Sequence, residues 1–278
     1  MSTNPKSIIV TGGASGIGLA LTRHFASQGH RVAILDLNAA AGPGVAASVA
    51  GEFPQASVSF HACNVSSWDE QAVAFEKAFK AHGGRLDIVV ANAGVSEQGV
   101  TTLVKLDAGA DEGPTRPRVT TVEVNLLGAI YSVNLAVHYM NKKPKTEGKP
   151  RGSIICTASN AGLYPLPTAP LYAASKFGVV GLVRSTARVV EKAHIQINGL
   201  APAVLDTNIA PDKDLFRHMT VTPMETLVRA VDQFLADPSV SGAVAEVHRD
   251  KVTIRPPHEY VDEESGQNIE TFWRLGYA

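Results

Sequence analysis

Short apolar runs rich in valine and isoleucine alternate along the chain with longer segments of helical periodicity. Runs that are apolar throughout are typical of strands covered on both faces, whereas the longer segments repeat apolar residues at every third or fourth position. This pattern predicts seven strands, at residues 7–12, 31–36, 57–65, 86–94, 152–159, 195–202 and 242–248. It predicts helices at residues 16–29, 67–82, 120–141, 169–191 and 222–236.

The regular alternation of strands and helices indicates βαβ crossovers, which produce a parallel sheet with helices on both faces. We therefore expect an α/β protein: a single-domain Rossmann fold whose doubly wound parallel sheet has about seven strands. No linker or repeat divides the chain, so residues 1–278 are expected to form one dinucleotide-binding and catalytic domain. A polar C-terminal extension after about residue 250 shows no clear element, and long loops are expected at 95–119 and 203–221.

Composition excludes several classes of protein. A net charge of -1 argues against a nucleic-acid partner. The two cysteines, Cys63 and Cys156, lie in apolar runs, and the nine histidines lack metal-ligand spacing, so neither a disulfide framework nor a metal site is expected. No apolar run approaches the roughly 18 residues of a membrane span, and the first residues lack the apolar segment of a secretory signal. The expected location is the cytoplasm.

A glycine-rich turn, TGGASGIG at 11–18, lies between the first strand and the first helix. Glycines let the backbone turn tightly beside a pyrophosphate, and the helix directs its free N–H groups and positive dipole end at the phosphates. Asp36 closes the second strand, where a carboxylate accepts hydrogen bonds from the adenosine ribose and repels a 2′-phosphate. Neither Leu37 nor the turn contributes a cation, so the pattern favours NAD over NADP.

The spacing TGxxxGxG, the sequence NAG at 92–94 and the pair Tyr172 and Lys176, four apart, together resemble the short-chain dehydrogenase/reductase family. The resemblance covers nearly the whole chain. Within the family, the order of segments and the stretch VSGAVAEVHRDKVTIRP, 240–256, resemble most the NAD-dependent hydroxyprostaglandin dehydrogenases. Further positions that match the family are Asn125, Ser159, Pro202 and Thr207.

The resemblance implies a catalytic set of four residues: Asn125, Ser159, Tyr172 and Lys176. Tyr172 exchanges a proton with the substrate hydroxyl, Ser159 binds the substrate oxygen, and Asn125 positions a water. Lys176 holds the nicotinamide ribose and lowers the pKa of the phenol, which is about 10 when unperturbed. The expected cofactor contacts are Gly12, Ser15, Gly16, Ile17, Gly18, Asp36, Leu37, Asn64, Val65, Asn92, Ala93, Gly94, Tyr172, Lys176, Pro202, Leu205 and Thr207.

Four positions depart from the family pattern. Ala91 stands where the family usually has Asn, Ala203 where it has Gly, and Asn64 where it often has Asp. Ala169 replaces a Gln that prostaglandin dehydrogenases carry three residues before the tyrosine, so the prostaglandin substrate is not carried over.

The substrate expected is a hydrophobic small molecule with a secondary alcohol or ketone, and two other functions stay open: a non-redox catalyst such as a cyclase or isomerase, and a dinucleotide sensor without turnover. A homodimer or homotetramer is expected through the helices near 120–141 and 173–191. The apolar residues expected on their outer faces are Ile130, Val133, Val137, Val179, Leu182 and Val189. Those expected to line the substrate pocket are Leu163, Tyr164, Leu166, Val204, Leu205, Ile209, Leu215, Phe216 and Met219.

Overall fold

The computed structural model describes residues 5–97, 103, 113–145, 150–207, 209 and 213–276. The predicted loops at 95–119 and 203–221 therefore lie partly outside the described residues, and so does the side chain of the expected pocket residue Leu215. The strands of the described part are β1 (Ser7–Thr11), β2 (Arg31–Asp36), β3 (Ser57–Ala62), β4 (Ile88–Ala91), β5 (Gly152–Thr157), β6 (Ile195–Pro202), β7 (Val244–His248) and β8 (Lys251–Arg255). The helices are α1 (Gly16–Ser27), α2 (Gly42–Glu52), α3 (Trp68–Ala81), α4 (Thr120–Val122), α5 (Gly128–Met140), α6 (Pro170–Glu191), α7 (Met224–Ala236) and α8 (Glu263–Leu275).

All eight described strands join one sheet in the order β3-β2-β1-β4-β5-β6-β7-β8. Every neighbouring pair is parallel except β7 and β8, which are antiparallel. The predicted α/β fold with a doubly wound sheet is thus confirmed, with one more strand than the seven predicted. The chain reverses its direction of progress between β1 and β4, and such a switch point opens a crevice at the carboxyl ends of the strands.

Each central strand contributes to two separate cores because its side chains alternate between the faces of the sheet. Ile154 of β5 faces a core built with α3, α5 and α6, whereas Ile155 faces one built with α1 and α7. Both side chains are fully buried. This burial on two faces explains why the strands read as continuous apolar runs in the sequence.

The expectation of no element after about residue 250 is wrong. His248 and Lys251 are joined by a two-residue turn in which Arg249 has a φ of 54°, so β8 forms a hairpin with β7. The turn lacks the glycine or asparagine that marks such hairpins in a sequence. Helix α8 follows, and its cap is visible in the sequence, because the Asp262 side chain accepts a hydrogen bond from the Ser265 N–H at 2.8 Å.

Helix α8 packs on the outer surface of α6. The Trp273 ring lies 4.8 Å from the guanidinium of Arg188 and 4.3 Å from Nζ of Lys192, and Glu270 forms an ion pair with Arg188. None of its residues is buried, which explains the absence of an apolar signal for a core helix. Helix α2 was also not predicted; its sequence GPGVAASVAGE is poor in large apolar residues.

The predicted outer faces of α5 and α6 need a correction. Val133 and Val179, expected on these faces, are 5% and 1% exposed and belong to the core beneath the helices. Ile130 and Val189 are exposed as expected, at 39% and 53%. Both helices carry apolar residues on more than one side. Periodicity alone therefore placed Val133 and Val179 on the outer face, although they face the core.

The expectation that no apolar run approaches a membrane span needs a correction, because the segment Thr120–Met140 is long and apolar enough to cross a membrane by length and composition alone. It comprises α4, a π-helical turn at Glu123–Leu127 and α5. Ala136 and Met140 are fully buried in the core against the sheet. Its hydropathy is therefore explained by packing within the domain.

Candidate active site

The predicted site residues converge on the carboxyl edge of the sheet, around the crevice between β1 and β4. The glycine-rich turn follows β1, Asp36 ends β2, and the segment 92–94 follows β4. Ser159 follows β5, and α6 carries Tyr172 and Lys176 in its first two turns. One edge thus collects residues that are far apart in the chain, such as Gly12 and Lys176, which are 164 positions apart.

The turn after β1 has the backbone that a pyrophosphate requires. Gly12 has a φ of +64°, and a Cβ at Gly18 would lie 2.1 Å from the carbonyl oxygen of Gly12, so neither position accepts a side chain. Helix α1 begins at Gly16, the Ser15 side chain makes no capping hydrogen bond, and the first turn contains no acidic residue. Its N–H groups and positive dipole end are therefore available to an anion, and the turn fits the phosphates of a dinucleotide.

Asp36 is fixed against this turn. Its Oδ2 accepts a hydrogen bond from the Ala14 N–H at 3.0 Å, and its Oδ1 accepts one from the Asn38 N–H at 3.0 Å. A carboxylate has about four acceptor positions, so capacity remains for ribose hydroxyls. The neighbouring Leu37 is 72% exposed and brings no charge to the rim.

Two threonines that were not among the predicted site residues connect the strand ends at the base of the site. The hydroxyl of Thr11 accepts hydrogen bonds from the N–H groups of Asn92 and Ala93, at 2.9 and 3.1 Å. The hydroxyl of Thr157 donates to Oδ1 of Asn92 at 3.1 Å. These bonds join the ends of β1, β4 and β5. Asn92 therefore contributes to the site by fixing the position of the backbone around it. The only sequence signal is a polar residue at the end of each buried strand.

Lys176 is almost completely buried, with 2% of its surface exposed. Its Nζ donates to the carbonyl oxygen of Thr157 at 2.9 Å and lies 5.6 Å from the centroid of the Tyr172 ring. A Cβ on Gly94 would lie only 3.5 Å from the same nitrogen, so the ammonium borders the NAG segment. Burial lowers the pKa of Lys176 to about 8, and the Cys156 thiol has a smaller, raising effect on that pKa.

Tyr172 differs from expectation in its acidity. Burial raises the pKa of its phenol above the ordinary value, and a hydrogen bond with Ser159 opposes that shift without cancelling it. The expected lowering by Lys176 is therefore not found in the protein alone. Desolvation disfavours the phenolate, and a buried ammonium whose own pKa is lowered does not compensate for it.

Ser159 begins a short helical turn, Asn160–Gly162. Its Oγ accepts a hydrogen bond from the Ala161 N–H at 3.2 Å and donates to Oδ1 of Asn160 at 3.2 Å. The side chain is 8% exposed. The turn fixes the Ser159 hydroxyl within hydrogen-bonding reach of the Tyr172 phenol, where it opposes the rise in the phenol pKa.

Asn125 lies in the π-helical turn and is 2% exposed. Its Oδ1 accepts from the Val95 N–H at 2.8 Å, and its Nδ2 donates to the Val95 carbonyl at 3.0 Å and to the Ser175 hydroxyl at 3.1 Å. The side-chain amide therefore binds protein groups on both its atoms and holds the segment after β4 against α6. The predicted role in positioning a water is not required to explain its burial.

Some of the remaining predicted cofactor residues lie beside the site, and others lie in the hydrophobic core. Thr207 lies beside the glycine-rich turn, since a Cβ on Gly16 would be 3.3 Å from the Thr207 Cβ. The Asn64 Oδ1 accepts from the N–H and the hydroxyl of Ser66, at 3.1 and 2.8 Å, and caps the turn that follows β3. The predicted residues with side chains wholly or partly in the core are Ile17, Val65, Pro202 and Leu205.

Two open cavities lie away from this site. One, of about 620 Å³, runs along α8 beside Tyr260, and the other, of about 450 Å³, lies between β3 and α3. Neither is lined by a predicted site residue. Within the described ranges, no three histidine, cysteine, aspartate or glutamate side chains are grouped to hold a metal ion.

The fold and the site define a dinucleotide-dependent oxidoreductase, and comparison with known proteins gives the family. The family model described as short chain dehydrogenase matches residues 6–217, so the chain belongs to the short-chain dehydrogenase/reductase family. A short-chain dehydrogenase/reductase of Penicillium rubens, prx6, is 30% identical over 264 residues, covering 90% of this chain and 85% of that protein. The 15-hydroxyprostaglandin dehydrogenase (NAD(+)) of Bos taurus is 28% identical over 270 residues, covering 90% and 94%.

A solved structure extends the likeness to three dimensions. The NADPH-dependent 3-quinuclidinone reductase of Rhodotorula rubra superposes with a TM-score of 0.72 at 26% identity, covering 89% of this chain and 91% of that one. These similar proteins include one named for NAD and one named for NADPH. Similarity alone therefore does not decide the cofactor preference of this chain.

Proposed function

We propose that the protein is an NAD-dependent oxidoreductase that interconverts a secondary alcohol and a ketone on a mostly apolar small molecule. The observation that carries the proposal is the convergence of Ser159, Tyr172 and Lys176 at the carboxyl edge, beside the NAG segment. A phenol, a hydroxyl and an ammonium in one partly dry site are what acid–base chemistry on an alcohol requires. A sensor without turnover needs none of them.

In this proposal each side chain of the site has a separate role. A bound nicotinamide dinucleotide supplies the hydride acceptor or donor. Ser159 binds the substrate oxygen, and Tyr172 takes the hydroxyl proton in oxidation or returns it in reduction. Lys176 holds the ribose of the cofactor and provides a positive charge below its pKa of about 8. This positive charge favours the phenolate form of Tyr172 once both groups face the bound cofactor. Each unit by which the charge lowers the phenol pKa corresponds to about 1.4 kcal/mol.

Asp36 supports NAD as the cofactor. Its carboxylate is oriented by two backbone N–H groups at the end of β2, where the adenosine ribose of a dinucleotide lies in this fold class. A 2′-phosphate there would meet a negative charge. Neither Leu37 nor the glycine-rich turn contains an Arg or Lys to compensate.

The surface around the crevice supports an apolar substrate. In the segments 159–170 and 203–221, which are expected to line the pocket, Leu166, Ile209 and Met219 are each 37% exposed or more. We also propose that α5 and α6 pair with a second copy, since Ile130, Phe177 and Val189 leave apolar area exposed on these helices. Light scattering at micromolar concentration tests the dimer, and a monomer would contradict it.

The experiment that tests the function is a panel of hydrophobic secondary alcohols and ketones, supplied with NAD or NADP and followed at the nicotinamide absorbance. We expect turnover of at least one compound with NAD, and loss of that turnover in Tyr172→Phe. A protein that binds NAD tightly but reduces or oxidises none of the panel would contradict the proposal. It would favour the non-redox catalyst or the sensor instead.

A further inference from the structure

The first turn of α6 lacks a local cap. The residue at its N-cap, Ala169, has no side-chain acceptor, Pro170 has no N–H, and the first turn contains no acidic residue. The first N–H groups of a helix have no partner within it and require one from elsewhere. Here those groups belong to Leu171 and to Tyr172 itself.

Glu97 supplies the missing acceptor from a distant part of the chain. Its Oε2 accepts the N–H of Leu171 at 2.8 Å and the N–H of Tyr172 at 3.1 Å, across 74 and 75 residues. The side chain is buried, with 9% of its surface exposed. A carboxylate at this end of a helix is also favoured by the helix dipole, and hydrogen bonds to a charged acceptor are stronger than neutral ones.

The segment that carries Glu97 is fixed at its other end by the catalytic groups. Gly94 borders Nζ of Lys176, and both the N–H and the carbonyl of Val95 are bound by the Asn125 side chain. Two residues later Glu97 binds the backbone of Tyr172. The four residues 94–97 therefore link the surroundings of Lys176 and Asn125 to the start of α6.

We propose that Glu97 is a positioning residue that fixes the Tyr172 phenol in its partly buried place beside Ser159. This inference rests on the proposed function in that Tyr172 is taken as the acid–base group. Because one of the two N–H groups is that of Tyr172, any shift of the cap moves the ring directly. Misplacement of a reacting group by about 1 Å costs up to about 100-fold in rate.

A titration of the phenol tests the proposal without any substrate. The absorbance of tyrosinate is followed against pH in the native protein and in Tyr172→Phe, and the difference isolates one of the six tyrosines. The same pair is measured in Glu97→Ala and in Glu97→Gln. Burial raises the pKa of Tyr172, so freeing the first turn should let that pKa fall toward the ordinary value of about 10.

The two variants separate the hydrogen bonds from the charge. Glu97→Gln keeps an acceptor oxygen and loses the charge, so Tyr172 should titrate as in the native protein, whereas in Glu97→Ala its pKa should fall. An unchanged pKa in Glu97→Ala would overturn the proposal. An equal fall in both variants would also overturn it, because the effect would then be that of the charge. Glu52→Ala, which removes an exposed ion pair with Arg23 on another helix, is the matched control and should change nothing.

Turnover on the best compound of the panel gives the second arm. Glu97→Ala should lower kcat about tenfold, with the NAD dissociation constant unchanged, and Glu97→Gln should restore most of kcat. In a Tyr172→Phe background Glu97→Ala should cause no further loss, since the group it positions has gone. Independent losses that multiply would contradict a role through Tyr172. If Tyr172→Phe keeps full turnover, the proposed function fails, while the titration still decides whether Glu97 places the phenol.

Discussion

The ammonium of Lys176 donates a hydrogen bond to the main-chain carbonyl of Thr157 at 2.9 Å. The bond connects the second turn of α6 to the end of β5. It also gives an N–H donor of this almost fully buried ammonium an acceptor. Thr157 in turn binds the side chain of Asn92 at the end of β4. The lysine is thus held by the sheet before any cofactor contact is made.

The lowered pKa of Lys176 predicts how cofactor affinity depends on pH. The ammonium is protonated below about 8 and loses its proton as the pH rises through that value, well below the ordinary 10.5. NAD binding should therefore be tightest below pH 8 and weaken above it. Lys176→Met should bind NAD more weakly at pH 7 and show no such dependence. Calorimetric titrations between pH 6.5 and about 9.5 measure this, and a native affinity that is flat over this range would contradict it.

The cofactor preference should change with two substitutions at the end of β2. Asp36→Ala removes the carboxylate that repels a 2′-phosphate, and Leu37→Arg adds a cation at a position that is 72% exposed. The double variant should bind NADP more tightly than NAD, whereas the native protein should prefer NAD. Dissociation constants for both cofactors, measured on both proteins, check this. A native protein that already prefers NADP would show that Asp36 does not select the cofactor.

Asp87 should stabilise the fold without affecting the site. It lies at the amino edge of the sheet, where Lys143 and Arg85 bind its carboxylate at 2.6 Å each and the Ser7 N–H donates at 2.8 Å. Burial alone would raise the pKa of Asp87, but these hydrogen bonds outweigh it and lower the pKa. Asp87→Asn should reduce the free energy of unfolding by about 2 kcal/mol, because a buried carboxylate loses its charge-assisted hydrogen bonds to Lys143 and Arg85, whose side chains are 22% and 37% exposed.

Urea unfolding measures this change, and NAD binding by the folded variant should be unaltered. Glu52→Gln, which breaks an exposed ion pair with Arg23, is the control and should change stability by less than about 1 kcal/mol. A loss at Asp87 no larger than the control would show that the pairs contribute nothing net. Since the carboxyl has a lowered pKa, its contribution is present at neutral pH and is lost only as the pH falls through that lowered value.

His82 should make stability depend on mildly acidic pH. It is 3% exposed, and one ring nitrogen lies 2.7 Å from the Ser7 hydroxyl. Burial lowers its pKa to about 4, and the nearby Arg31 adds to that effect. The unfolded chain therefore binds one more proton than the folded one between about pH 4 and 6.5, so stability falls as the pH falls through this window.

His82→Gln should reduce the slope of the unfolding free energy against pH by the amount of one titrating group. The remaining slope comes in part from His30 and His61, whose pKa values burial also lowers. Urea unfolding at a series of pH values between 7 and about 5 gives both slopes. Equal slopes in the two proteins would mean that His82 already accepts a proton in the folded state.

The residues that sequence could identify are those whose spacing is local. Gly12 and Gly18 lie within one turn, and Tyr172 and Lys176 lie on one face of one helix, so their chemistry is visible over a few positions. Glu97 was not predicted because its partners are 74 and 75 residues away, and only the folded chain shows that α6 lacks its own cap.

The same limit applies to the elements. β8 depends on pairing with β7 and on a turn at Arg249 without glycine, so no local pattern marks it. The acidity of Tyr172 is a second case. Sequence places an ammonium four residues away, but the balance between that charge and burial is set by the packing of the whole site.

The measurement that tests the account most directly is the turnover of Tyr172→Phe on the best secondary alcohol of the panel. The substitution removes one hydroxyl and keeps the ring, so the fold and the NAD dissociation constant should be those of the native protein. The rate of NAD reduction should fall about 10²–10⁴-fold, the usual contribution of general acid–base catalysis. Full turnover by a folded Tyr172→Phe protein that binds NAD normally would contradict the assignment of Tyr172 as the acid–base group.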